Sequence, residues 1–318
     1  MVSDMKLTRR AFGALAMGGL ASGLVSRTAQ GAAAAPALPT GAIDCHIHIV
    51  GPQSKYPMAA GRAYTPPEAT VAELRTLHMA IGVPRQVIVQ PSFYGFDNSC
   101  TSDAIAELGR SARGVAVVPP NVTDTQLQRL NSAGFVGARL NLATAGITDQ
   151  NRAAGLILGL TEKLRPFRWH LQINTDLAMI ENLAPIISTL TVPVVFDHMG
   201  NPDAAAGVNQ PGFDALIFLV TNRNVYVKLS APYNHSTLAD YSDVAPFARA
   251  LIAARPARML WGTNWPHPAA VRAPVGEVSP YQVIDNANLV RLFMEWCPDA
   301  AMRKMILVDT PARFYGFA

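Results

Sequence analysis

Short apolar, β-branched segments alternate with stretches of helical periodicity from Ala42 onward, and this alternation limits the possible folds more than any other feature. Each segment is almost continuously hydrophobic, as is typical of strands buried on both faces of a parallel sheet. Eight strands are predicted, at residues 43–50, 86–91, 114–118, 137–142, 170–174, 194–198, 225–230 and 259–264. Eight strand–helix alternations in roughly 270 residues favour a distorted TIM (β/α)8 barrel.

The stretches between the strands read as amphipathic helices. The first, at 66–81, has prolines in its first turn and is followed by Gly82, a common residue after a helix end. Further helices are predicted at 123–133, 153–164, 177–190, 213–221 and 244–254, with a closing helix and tail at 298–318. A doubly wound open sheet is the alternative fold, but no G-x-G-x-x-G motif follows the first strand.

The N-terminal residues read as a targeting segment. Arg9 and Arg10 precede a weakly apolar stretch at 14–25 and small residues at 29–37, which resembles a twin-arginine export signal. We expect residues 1–37 to be this signal, with cleavage between Ala32 and Leu38, and residues 38–318 to be a periplasmic barrel domain. The alternative is a leader with a chance Arg-Arg pair. No apolar run reaches ~18 residues, so no membrane span is predicted.

Charge and cysteine content exclude several classes of protein. The net charge is +4, but four basic residues and one acidic residue before residue 35 account for +3 of it. The remainder contains no basic run, so nucleic acid is not an expected partner. Three cysteines do not make a disulfide framework. A 50% apolar composition with 15% charged residues excludes a disordered chain.

The first strand carries His46 and His48, two residues apart. Because side chains alternate along a strand, both imidazoles are predicted to face the barrel interior, and Cys45 to pack outward. Two imidazoles at this spacing suit a metal ion or a proton relay. Chemistry in such barrels lies at the carboxyl ends of the strands, so the polar residues there are the candidate site.

Other strands contribute further polar ends. Arg139 and Asn141 lie on one face of strand four, and an inward arginine needs either a substrate anion or a structural ion pair. His198 ends strand six, and Asn264 lies at the tip of strand eight. The remaining candidates for substrate binding are Tyr64, Gln90, Tyr94 and His267.

Taken together, these motifs resemble the amidohydrolase-related branch of the amidohydrolase superfamily over about residues 42–315. The resemblance rests on Asp44-Cys45-His46-Ile47-His48, Tyr64-Thr65-Pro66, Gln90-Pro91-Ser92, Arg139-Leu140-Asn141, Asp197-His198-Met199-Gly200 and Trp261-Gly262-Thr263-Asn264-Trp265-Pro266-His267-Pro268. It implies a (β/α)8 barrel that activates a carbonyl group for attack. Many superfamily members hold one or two divalent metals, whereas a lactonase subgroup works without one.

The chain departs from the lactonase pattern at two places. The lactonases carry aspartate, the expected base, where this chain has Asn264, and an amide does not accept a proton at neutral pH. Sugar-acid lactone isomerases of the same family have asparagine at the same position of this motif. The basic residues expected within 230–234 and 142–144 are also missing, which leaves Arg139 to bind a carboxylate and predicts a less anionic lactone.

The sequence therefore predicts a hydrolase that attacks the carbonyl of a lactone of an organic or sugar acid. In this hypothesis one or more of His46, His48 and His198 polarise the carbonyl and stabilise the oxyanion. Asn264 orients the nucleophile, and Arg139 with Tyr64 holds a carboxylate or hydroxyl. The partner is a small lactone or carboxylate, and no cofactor is expected. The alternatives are one divalent metal such as zinc on the three histidines, intramolecular acyl migration by an isomerase, or a non-catalytic periplasmic binder.

Overall fold

The computed structural model describes residues 37–268, 273 and 277–317. Eight parallel strands pair in chain order to form a nearly closed barrel, which confirms the predicted (β/α)8 fold. The strands are β1 (Ile43–Ile47), β2 (Arg85–Val89), β3 (Ala112–Ala116), β4 (Phe135–Asn141), β5 (His170–Asn174), β6 (Val194–Phe196), β7 (Val225–Leu229) and β8 (Met259–Trp261).

Helices follow the strands and cover the outside of the barrel. They are α1 (Val71–Ile81), α2 (Ser99–Leu108), α3 (Asp124–Ser132), α4 (Gln150–Leu164), α5 (Leu177–Ile187), α6 (Phe213–Asn222), α7 (Ala245–Ala254), α8 (Asn286–Trp296), α9 (Ala300–Lys304) and α10 (Thr310–Tyr315). A capping box between Thr70 and Glu73 begins α1, and Gly82, at φ 73°, ends it. Helices α2 and α8 were not predicted from the periodicity.

The barrel closes between β1 and the segment that follows β8. Asp44 accepts hydrogen bonds from the backbone N–H of Thr263 at 3.0 Å and from its hydroxyl at 2.5 Å. The backbone N–H of Asn264 donates to the carbonyl of His46 at 2.9 Å. Two sequence motifs that are more than 200 residues apart are thereby held side by side at one end of the barrel.

Cys45 lies inside the barrel, so the prediction that it packs outward was wrong. It clusters with Val87, Val115, Val195 and Leu260, which come from four other strands and can meet only in the interior. The register between β1 and β2 shifts between Asp44 and Ile47, and this irregularity breaks the simple alternation. His46 and His48 still face inward, whereas Asp44 turns out toward His78 of α1.

Strands six and eight end earlier than predicted, at Phe196 and Trp261. His198 and Asn264 therefore lie in turns beyond their strands, with φ of 50° and 60°. Asparagine and histidine tolerate this left-handed conformation better than most residues, and such backbone strain clusters at functional sites.

No helix among the described residues is long and apolar enough to cross a membrane. The predicted export signal lies outside the described residues, apart from Ala37.

Candidate active site

A cavity of about 480 Å³ opens at the carboxyl ends of the strands. Its lining includes six of the predicted site residues, which come from strand ends and loops. The polar residues of the lining include His48, Tyr64, Arg139, Asn141, Asn174, His198, Asn201, Asn234, His235 and Asn264. A larger cavity of about 680 Å³ lies outside the barrel beside α1 and lacks such a cluster.

His48 faces this cavity in a fixed tautomer. Its Nδ1 lies 2.7 Å from the carbonyl oxygen of Val89, so Nδ1 carries the proton and donates it to that oxygen. Burial, reinforced by the positive charge of Arg139, lowers the pKa of His48 to about 4. Its Nε2 is consequently a neutral lone pair that can accept a proton.

His198 also lines the cavity. Its Nδ1 lies 2.8 Å from Oγ of Ser230, a hydroxyl with no other partner among the residues described. A serine hydroxyl can either donate to this nitrogen or accept from it. Burial lowers the pKa of His198 to about 3, so the ring is neutral and one of its two nitrogens carries a proton.

His46 lies beneath the cavity floor and does not line the cavity. Its ring centroid is 4.7 Å from that of His198 and 5.0 Å from that of His48. Its Nδ1 is 3.2 Å from Asp197 and 3.3 Å from Nζ of Lys228, while its buried Nε2 has no hydrogen-bond partner within the described part of the chain. Burial holds the pKa of His46 well below 6.5.

A buried charge network supports the floor. Asp197 accepts from Nε of Arg139 at 2.9 Å and from Nε2 of Gln172 at 2.8 Å, and Nζ of Lys228 lies 3.7 Å away. Burial lowers the pKa of Lys228 to about 8, and Asp197 opposes this effect. The sequence interpretation missed Lys228 and Gln172. Both are polar residues within otherwise apolar strands, and the alternation of side chains along those strands directs them into the barrel.

Asp197 is poorly suited to be a ligand of a divalent metal ion. Of the residues described, His46, Asp197 and His198 place candidate ligand atoms within 4.8 Å of one another. Both oxygens of Asp197, however, already accept hydrogen bonds, and two cationic side chains lie beside it. A further cation would displace these contacts and meet like charge.

Arg139 forms an ion pair with Asp197 and also lines the cavity. Its Nε is bound to Asp197, and the residue lines the cavity, so the Nη end of the guanidinium is available to a ligand. Asn141 lies beside it, at the end of a chain of amides in which Asn201 donates to Asn174 and Asn174 donates to Asn141, each at 2.9 Å.

Asn264 also lines the cavity, where its Nδ2 donates to Oη of Tyr233 at 3.0 Å. His267 lies behind Tyr233 and does not line the cavity, so the structure does not support the predicted direct contact with substrate. Its Nδ1 is 2.9 Å from the same hydroxyl.

Gln90 and Tyr94, also predicted to bind substrate, are not brought to the cavity. Gln90 is fully buried, donates to the carbonyl of Asp97 and accepts from Thr101 at 2.6 Å each, so both ends of its amide are occupied. The hydroxyl of Tyr94 accepts from the backbone N–H of Gly51 at 3.1 Å. Both side chains hold the loop that follows β2.

His235 is a cavity residue that the sequence interpretation treated as an ordinary loop histidine. Its ring centroid is 6.5 Å from that of His198, and burial lowers its pKa to about 4. It lies six residues beyond β7, where no strand periodicity indicates the direction of a side chain.

These features define a class: a (β/α)8-barrel protein with neutral imidazoles, an arginine and an amide at the catalytic end of the barrel. The chain belongs to the amidohydrolase family, whose model matches residues 43–317.

Three characterised relatives are similar to the chain over most of their length. A 4-sulfomuconolactone hydrolase from Rhizobium radiobacter is 35% identical, covering 88% of this chain and 91% of the relative. A 2-pyrone-4,6-dicarboxylate hydrolase from Comamonas testosteroni is 34% identical, covering 87% and 91%. A D-galactarolactone isomerase from Agrobacterium fabrum is 30% identical, covering 91% and 96%.

Proposed function

We propose that this protein is a lactone hydrolase that activates water with a histidine. The observation that carries the proposal is the pair of neutral imidazoles at the cavity: His48 presents the lone pair of Nε2, and His198, in the tautomer in which Ser230 donates to its Nδ1, presents an N–H. Ester hydrolysis needs one group to take a proton from water and another to stabilise the oxyanion. Similarity to two lactone hydrolases supports a cyclic ester as the substrate.

In the first step water attacks the lactone carbonyl and its proton passes to Nε2 of His48. Asn264 accepts a hydrogen bond from the same water and aims it. The carbonyl oxygen becomes an oxyanion, to which His198 donates through Nε2. In the second step the ring C–O bond breaks, and the leaving alkoxide takes the proton from His48. The product is the open hydroxy acid.

In this mechanism the three histidines have different roles. His48 is the base, His198 stabilises the oxyanion, and His46 supports both rings from below through its contacts with Lys228 and Asp197. This is a more specific assignment than the expectation that one or more of the three polarise the carbonyl.

The substrate we propose carries one carboxylate, held by Arg139 with Tyr64. Arg139 is the one arginine or lysine among the described residues that line the cavity. The amides of Asn141, Asn201 and Asn234 line the same cavity and suit neutral hydroxyl or carbonyl groups of the substrate. A lactone with two carboxylates would leave one of them without a cationic partner.

Lactone isomerisation is the second candidate, and Asn264 is the observation that favours it. An amide does not remove a proton, whereas a hydroxyl of the substrate could replace water as the nucleophile and pass its proton to His48. The similarity to a galactarolactone isomerase is consistent with this route.

We also propose that the enzyme acts without a metal, since both oxygens of Asp197 already accept hydrogen bonds from protein side chains.

We further propose that residues 1–37 direct the protein to the periplasm through Arg9 and Arg10.

A pH-stat assay over a panel of lactones with zero, one and two carboxylates tests the function. Acid release, greatest with one carboxylate, is the expected result. A rearranged ring without acid release would identify an isomerase, and tight binding without turnover would identify a binder and overturn the proposal.

A further inference from the structure

Asn264 is the first member of a chain of four side chains, three of them buried and the last half-buried, that runs away from the cavity. Nδ2 of Asn264 lies 3.0 Å from Oη of Tyr233, and the same hydroxyl lies 2.9 Å from Nδ1 of His267. Nε2 of His267 lies 3.1 Å from Oδ1 of Asn286, the first residue of α8. The chain links the turn after β8, the turn after β7 and the start of a helix.

The direction of these hydrogen bonds is set at the far end. Nδ2 of Asn286 donates to the carbonyl of Ile284 at 3.4 Å, so its Oδ1 is the atom that accepts from His267. Burial lowers the pKa of His267 to about 4, and the neutral ring therefore has one proton, located on Nε2. Its Nδ1 is then an acceptor.

The remaining bonds follow from that tautomer. Because Nδ1 of His267 has no proton, the hydroxyl of Tyr233 donates to it, and the tyrosine oxygen accepts from Nδ2 of Asn264. The amide nitrogen of Asn264 is thus held away from the cavity. Its Oδ1 has no hydrogen-bond partner in the described part of the chain, and Asn264 lines the cavity.

The backbone holds the same arrangement. Asn264 and His267 both have positive φ, 60° and 68°, and the N–H of His267 donates to the carbonyl of Asn264 at 2.9 Å. The N–H of Gln282 in turn donates to the carbonyl of His267 at 2.9 Å. This turn fixes where Asn264 lies, and the side-chain bonds fix which end of its amide faces the nucleophile.

We infer that Tyr233, His267 and Asn286 are positioning residues that force Asn264 to present its oxygen, as a hydrogen-bond acceptor, to the attacking O–H. The inference rests on the proposed function. It assigns a role to His267, which belongs to the Trp261–Pro268 motif but does not line the cavity.

Tyr233→Phe tests this directly, because the variant removes the hydroxyl and lets the amide rotate. We expect kcat to fall ~10- to 100-fold, the scale for a misaligned reactant, with KM changed less than about threefold. In an Asn264→Ala background the same substitution should change kcat less than about twofold, since there is no amide left to orient. Tyr315→Phe is the matched control, because its buried hydroxyl has no partner in the described part of the chain and should leave kcat unchanged.

Two variants of His267 keep the test decisive if Tyr233→Phe folds poorly. His267→Asn retains an acceptor near the position of Nδ1 and should keep more of kcat than His267→Leu, which retains none. Equal losses in both variants, or a Tyr233→Phe effect that persists undiminished without Asn264, would overturn the inference.

Side-chain amide NMR separates this inference from the proposed function. The Asn264 proton bonded to Tyr233 should exchange with solvent at least ~10-fold faster in Tyr233→Phe than in the wild type. If the wild type turns over no lactone, the proposed function has failed, and this exchange rate still tests the orientation. Unchanged exchange would show that Tyr233 does not hold the amide.

Discussion

Arg139 on β4 donates through Nε to Asp197, just beyond β6, at 2.9 Å across the barrel, while its other end reaches the cavity. The sequence left two alternatives for this arginine, a structural ion pair and a substrate contact. The fork geometry of a guanidinium allows both at once, because Nε and the Nη atoms point in different directions. The charge that anchors substrate is therefore also part of the barrel core.

Replacing Arg139 should consequently affect stability and activity together. Arg139→Met removes one of the positive charges that neutralise the buried carboxylate of Asp197. We therefore expect a loss of about 3 kcal/mol in the free energy of unfolding. The value of kcat/KM for a lactone with a carboxylate should fall about 100-fold. Urea unfolding and steady-state kinetics measure the two effects.

Arg139→Lys separates the two roles, since an ammonium group is too compact to reach both Asp197 and the cavity. Relative to Arg139→Met, this variant should restore either the free energy of unfolding or kcat/KM, but not both. Arg165→Met removes an exposed surface charge and is the control, expected to change neither. Full activity in Arg139→Met with a carboxylated lactone would rule out the anchor.

Particular residues show what the sequence could and could not predict. The barrel, the inward His46 and His48, and the cavity positions of Arg139, His198 and Asn264 followed from apolar periodicity and the rule that strand ends carry the chemistry. Cys45 was misplaced because a register shift is a backbone irregularity without a sequence signal.

Side chains beyond the strand ends were harder to predict. Gln90 follows β2 directly, yet its amide is used by Asp97 and Thr101 of its own loop. His235 reaches the cavity only because a tight turn at Pro232–Asn234 brings the chain back. Loop paths depend on such turns, and neither strand nor helix periodicity extends into them.

The pH dependence of activity should reflect the depressed pKa of His48. Because the folded enzyme has this pKa near 4 rather than 6.5, the base stays neutral down to about pH 4. We therefore expect the acid limb of the kcat/KM profile near pH 4, with little change between pH 5 and 7. A limb at pH 6–7 would contradict the assignment of His48 as the base.

Stability should depend on pH in the same window. The unfolded chain binds a proton at His48 below about pH 6.5, whereas the folded state does so only below about 4. The folded state thus binds fewer protons between these values, so stability falls as pH drops through this range. Urea titrations at pH 7, 5.5 and 4 measure this, and His48→Gln should flatten part of the slope.

Metal removal should have no effect on the enzyme. With Asp197 saturated by donors and flanked by Lys228 and Arg139, we expect far less than one bound metal per chain and full activity after chelation. Elemental analysis and a chelator titration provide the measurements. About one zinc per chain, with activity lost on chelation and restored by zinc, would instead place an ion on His46, His48 and His198.

Export should require both arginines of the N-terminal motif. Replacing Arg9 and Arg10 together by lysine should abolish periplasmic accumulation, since the twin-arginine route recognises that pair. N-terminal sequencing of the native protein should find a first residue between Ala32 and Leu38. An intact Met1 or Val2, or export that survives the double substitution, would refute the proposal.

Asn264 provides the sharpest test of the chemistry. Asn264→Ala removes the acceptor that aims the nucleophile, and kcat should fall ~10- to 1,000-fold, the range for a positioned polar group at the reacting centre. The variant should still fold. Its backbone N–H can still donate to His46, although alanine tolerates the positive φ less well. Circular dichroism and thermal unfolding check this point.

Asn264→Asp adds a carboxylate in nearly the same shape, and its consequence depends on the reaction. If the enzyme hydrolyses lactones, a second base beside His48 should speed water attack above the carboxylate pKa of ~4. If it isomerises them, the same base should divert substrate to the open hydroxy acid, and the yield of rearranged lactone should fall. Chromatography of both products against pH distinguishes these outcomes. Unchanged rates and product ratios in Asn264→Ala and Asn264→Asp would mean that this residue takes no part in the chemistry, and the proposed orientation of the nucleophile would be wrong.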